Sequence, residues 1–172
     1  MRISCSLGIV IASMAMLHLG ASEAAAQVEI GGSATVNNIR GGTFGLGGRL
    51  GVNVRESMRF GVRLEGAVDY FWPSCPFVDC DAIGTRLDLI FQNRLSGRTQ
   101  GYFGFGGAFQ SYTLENNNET VDEGDGWGFN MVAGSRYQGQ GTRPFVEVSW
   151  TLMDEIDNQW AFTVGTTLVL GR

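Results

Sequence analysis

The stretch Met58–Trp72, MRFGVRLEGAVDYFW, constrains the architecture of this chain more than any other. Read at every second residue, it sets Met58, Phe60, Val62, Leu64, Gly66, Val68, Tyr70 and Trp72 on one side. Arg59, Gly61, Arg63, Glu65, Ala67, Asp69 and Phe71 fall on the other. Successive side chains of a β-strand point to opposite faces, so one face is almost wholly apolar and the other is charged. A helical period would scatter both sets around the circumference, and strand is the reading the pattern supports. The segment is also far longer than the roughly five or six residues common in soluble sheets. It suits a tilted strand that crosses a bilayer and keeps its ends in water.

The alternation recurs through the chain. The segments are Val28–Val36, Thr43–Val54, Met58–Trp72, Ala82–Leu95, Gln100–Leu114, Gly126–Tyr137, Thr142–Leu152 and Gln159–Gly171. Three connections, Arg55–Ser57, Ser96–Thr99 and Gln138–Gly141, are short and polar. Between them fall Asn37–Gly42, Pro73–Asp81, Glu115–Asp125 and Met153–Asn158, which include the longest and most acidic. Short and long connections alternating along eight strands predict an all-β, eight-stranded antiparallel up-and-down transmembrane β-barrel, with short periplasmic turns and longer outer loops. If the first strand starts on the periplasmic side, Trp72, Trp127, Trp150 and Trp160 all fall at the outer rim on the apolar parity. Tryptophan suits a membrane interface because its ring is apolar while its N–H needs a partner, so these four form the expected outer aromatic belt.

The polar parity collects Glu29, Arg49, Arg59, Arg63, Glu65, Asp69, Arg86, Asp88, Arg94, Arg136 and Glu147. Their near balance of sign fits an enclosed interior, where a charge is costly unless paired. An eight-stranded barrel is just wide enough for side chains to fill, so these residues predict an ion-pair network that plugs the lumen. Two alternatives stand beside it. One is a narrow small-solute channel, and the other a soluble exported lipocalin-like barrel with the apolar parity turned inward. Tyr102 and Tyr112 share the polar parity of the fifth segment and are its least clean assignment.

The N-terminus reads as a secretory leader. Arg2 precedes an apolar run, Leu7–Gly20, and Ala24–Ala26 offers a small-residue cleavage site, which predicts removal of residues 1–26 and one domain over 27–172. Cys5 and His18 leave with it, and His18 is the sole histidine. Loss of Arg2 and Glu23 leaves the net charge at −5, which argues against nucleic acid as a partner. A mature chain without histidine cannot form a Ser-His-Asp triad or a His-based metal site, and no enzyme activity is expected. Glu119, Asp122, Glu123 and Asp125 read as a solvated acidic loop without EF-hand spacing, and nothing implies a cofactor or a bound metal. Weak divalent-cation binding at the outer rim is expected only as a surface property. Cys75 and Cys80 lie in the turn-rich WPSCPFVDCD, where export favours a disulfide over a metal pair.

The leader, the amphipathic strands, Gly-rich segments such as YFGFGGAF and the ending WAFTVGTTLVLGR together resemble the small outer-membrane barrels of the OmpA/OmpX type. The resemblance spans the whole mature chain. It implies residence in the bacterial outer membrane, contact with its lipid, a monomeric state and a structural or surface-interaction role. The acidic outer loops would then meet extracellular ligands or surfaces. One departure is the ending on Gly171-Arg172, where such barrels end on an aromatic residue that the assembly machinery reads.

Overall fold

A computed structural model describes residues 27–38, 42–56, 60–73, 79–116, 119–139, 141–154 and 156–170. Residues 1–26, expected as a leader, and Met58, Arg59 and Cys75 lie outside them, and so do the expectations made for those residues. Eight strands follow in chain order: β1 (Val28–Asn37), β2 (Thr43–Glu56), β3 (Phe60–Trp72), β4 (Asp79–Ser96), β5 (Thr99–Asn116), β6 (Glu119–Tyr137), β7 (Thr142–Met153) and β8 (Gln159–Leu170). Each pairs antiparallel with the next, and β8 returns to pair with β1, from Val28↔Leu170 to Asn37↔Ala161. Closure removes the sheet edges that would otherwise recruit other chains.

The alternation in β3 runs unbroken. Gly61, Arg63, Glu65, Ala67, Asp69 and Phe71 are buried, while the residues between them are half-buried or exposed. The polar parity therefore faces inward. Ile30, Leu46, Leu87, Val148, Phe162 and Leu168 stand exposed on the outside. An apolar surface of this extent wrapped around a polar interior reverses the arrangement of a water-soluble calyx and matches that of a transmembrane barrel.

The two ends differ. At the turn end, β4 and β5 join through Gly97-Arg98, with Gly97 at φ +53°, and β6 and β7 join through a turn with Gly141 at φ +86°. Glycine takes these positive angles without steric cost. The Gln138 N–H donates to the Arg98 carbonyl at 2.7 Å and so ties the two turns together.

At the opposite end the structure corrects a boundary. Glu115–Asp125, expected as a loop, is mostly strand: β5 continues to Asn116, β6 begins at Glu119, and Thr113↔Glu123 and Leu114↔Asp122 are paired. β7 meets β6 only from Gly128↔Met153. Glu119–Trp127 thus rises past the rim as a hairpin with β5. β4 likewise begins at Asp79, inside the expected Cys loop. Beyond the apolar belt both faces of a strand are wet, so polar composition does not separate strand from loop there. Asp154 closes the exposed flank at the base of this hairpin: its Oδ1 accepts the Trp127 N–H at 2.9 Å, and its own N–H donates to the Trp127 carbonyl at 3.0 Å.

Candidate functional site in the barrel interior

The interior owes its space to β2. Gly47 and Gly51 face inward there, and the side chains of Asp69 and Arg63 lie across them where a Cβ would stand. Replacing either glycine would overlap a buried charged group.

Two ion-pair networks fill the lumen. Nearer the turn end, Glu29 on β1 and Glu65 on β3 alternate with Arg63 on β3 and Arg136 on β6 in a closed ring. Arg63 Nη1 lies 2.6 Å from Glu29 and its Nη2 lies 2.6 Å from Glu65. Arg136 lies 3.6 Å from Glu29 and 3.1 Å from Glu65. Arg143 adds a further contact to Glu29 at 2.5 Å, and the Thr167 hydroxyl donates to the same carboxylate at 2.8 Å. Three arginines and two glutamates give this network one surplus positive charge.

Nearer the hairpin end the second network is an open chain. Asp69 accepts from Arg49 at 2.8 Å, and Arg49 lies 3.8 Å from Glu147. Glu147 pairs closely with Arg86, which lies 3.7 Å from Asp88. The free ends of the chain are held by neutral donors. Ser33 and Thr35 donate to Asp69 at 3.3 and 3.2 Å, and Asn130 donates to Asp88 at 2.9 Å. Two arginines and three carboxylates leave a surplus negative charge.

Tyr102 joins the two networks. Its hydroxyl donates to Glu147 at 2.9 Å, and the Arg136 guanidinium stacks 5.4 Å from its ring centroid. Its ring packs with Ile90 and Val132 in the one small apolar cluster among the described interior residues. Arginine serves here because it stays protonated and its fork of donors meets carboxylates in fixed geometry.

The described ions balance at five of each sign once Arg143 is included. Arg143 escaped the sequence reading because it opens its strand beside Pro144, although it shares parity with Glu147. Arg94 is a correction. Expected in the interior network, it is exposed at the turn end and has no ion pair among the described residues. The register slips between Arg94 and Ser96 as β4 ends, so the guanidinium reaches water and gains little from pairing. Arg59 lies outside the described residues.

Above the second network a vestibule of about 60 Å³ opens at the hairpin end, walled by Thr35, Thr85, Gln110 and Thr163, with Asp69 and Arg86 at its base. Outside it, Trp72, Trp127, Trp150 and Trp160 are all exposed near this end. Trp150 pairs across strands with Trp160, and Trp72 stacks on Phe44 with centroids 6.3 Å apart. Cys80 stands at the start of β4, and its expected partner Cys75 is outside the described residues.

No protein-family model matches the chain, and no curated protein matches it by sequence. Solved structures do. Ail, the attachment invasion locus protein of Yersinia pestis, is similar at 11% identity over 84% of this chain and 97% of its own, with a TM-score of 0.66. The fold is that of the small eight-stranded outer-membrane barrels. Neisserial surface protein A aligns at 10% identity over 84% of this chain and 96% of its own, with a TM-score of 0.61. The outer membrane enzyme PagL aligns at 8% identity over 81% and 98%, with a TM-score of 0.50. At such identities the likeness concerns fold, and a fold shared with an enzyme leaves function to be argued from the residues.

Proposed function

We propose that this chain is an integral outer-membrane protein whose lumen is plugged by its own side chains and whose acidic hairpin end is a surface for extracellular contact. The observation that carries the reading is that ion pairs cross the lumen from wall to wall. Arg86 on β4 meets Glu147 on β7, and Arg136 on β6 meets Glu65 on β3. A lumen of eight strands has no width to spare around such pairs. The plug argues against transport and the lack of histidine in residues 27–172 against histidine-dependent catalysis, so the role is structural or surface-interacting, and the protein acts as a monomer in contact with outer-membrane lipid. Under the same reading residues 1–26 are a removed leader, and Cys75 and Cys80 close the β3–β4 connection as a disulfide in an oxidising compartment.

Planar-bilayer recording tests the plug. The expected trace is flat at moderate voltage, and stable unitary currents would replace the plug with the narrow channel. Outer-membrane fractionation with heat-modifiable gel migration tests the location; a protein that stays soluble without detergent would overturn it.

A further inference from the structure

The turn end carries exposed cations that the interior does not use. Arg94 and Arg98 stand on either side of Gly97, both exposed, and neither has an ion pair among the described residues. The turn is fixed in place through the Arg98 carbonyl, which accepts from Gln138. Beside it Leu95, 66% exposed, lies over the backbone of Gly101, and Tyr137 is exposed on the outward face of β6. Directly inside sits the network with surplus positive charge. The exposed carboxylates Asp81, Asp125, Asp154 and Asp157 all lie at the other end of the barrel. Among the described residues, the exposed charge is thus polarised along the barrel axis.

We propose that the turn end is a docking surface for anionic phospholipid headgroups. Arg94 and Arg98 take the lipid phosphates, while Leu95 and Tyr137 enter the adjoining acyl boundary. The inference rests on the membrane-spanning reading above. Guanidinium groups meet phosphate with paired donors, and their stems lie along apolar surface while the charged head stays at the headgroup level. An overall acidic protein would be repelled by an anionic leaflet, and a basic rim at one end offsets that repulsion where the contact is made.

The test compares the purified protein with Arg94→Gln/Arg98→Gln in phosphatidylcholine vesicles and in vesicles containing phosphatidylglycerol, by urea unfolding. At low salt the anionic lipid should raise the folding equilibrium constant of the parent by about tenfold more than that of the variant. Added salt should erase this difference. Arg94→Lys/Arg98→Lys should retain most of the effect, because the charge remains. Equal dependence on phosphatidylglycerol in parent and double Gln variant overturns the proposal and leaves the barrel standing. Absence of a heat-modifiable folded band in both lipids overturns the membrane reading beneath it.

Discussion

The two interior networks solve the same problem differently. In the ring at the turn end, each of Glu29, Arg63, Glu65 and Arg136 has two partners of opposite sign within the ring. Removing one ion therefore leaves two others short. In the chain nearer the hairpin end, Asp69 and Asp88 are terminal and already lean on Ser33, Thr35 and Asn130. A terminal ion can lose its charge at small cost, because neutral donors still surround it. Each network alone is off balance by one charge, and their sum is neutral. The interior is thus electrically complete only as a whole, with Tyr102 as the contact between its halves.

This contrast can be broken by mutation. Arg63→Leu should cost about 3–5 kcal/mol, because it strands two buried carboxylates; urea unfolding in detergent would read it. An unchanged unfolding midpoint would show that the ring is not a cooperative unit. Tyr102→Phe keeps the ring beneath Arg136 and deletes only the hydroxyl to Glu147, for an expected loss of about 1.5–3 kcal/mol. Combined with Arg63→Leu, its cost should fall short of additive if the networks communicate, and strict additivity would separate them. Asp88→Asn should cost under about 1 kcal/mol, because the new amide can still accept from Asn130 at the open end of the chain. A loss as large as that of Arg63→Leu would erase the distinction between ring and chain.

The barrel was legible in the sequence because period-two alternation survives wherever one face meets lipid. β3 needed no further information, since buried residues alternate with more exposed ones without a break from Phe60 to Trp72. Legibility failed where that contrast fades. Beyond the rim, the polar run around Thr120 and Asp122 carries no alternation to read, and the pairing that makes it strand comes from β5. Arg94 has interior parity but sits where β4 slips register and ends, so parity no longer fixes its surroundings. Parity also cannot choose partners. Glu29 and Arg136 are far apart in sequence and meet only because β1 and β6 face each other across the closed lumen. Tyr102 looked out of place on a polar face. The structure gives it a carboxylate to bind and a cation to cover, which is what a buried phenol needs.

The clamp that Asp154 places on Trp127 bears on how the wall would tear. β5 and β6 pair from Thr99↔Tyr137 to Asn116↔Glu119, whereas β6 and β7 share only Gly128 to Arg136. Any parting of β6 from β7 would start where the hairpin leaves the wall, and the two bonds between Asp154 and Trp127 sit at the mouth of that seam. One residue, through its carboxylate and its own backbone N–H, would then act as a rivet at the base of the hairpin.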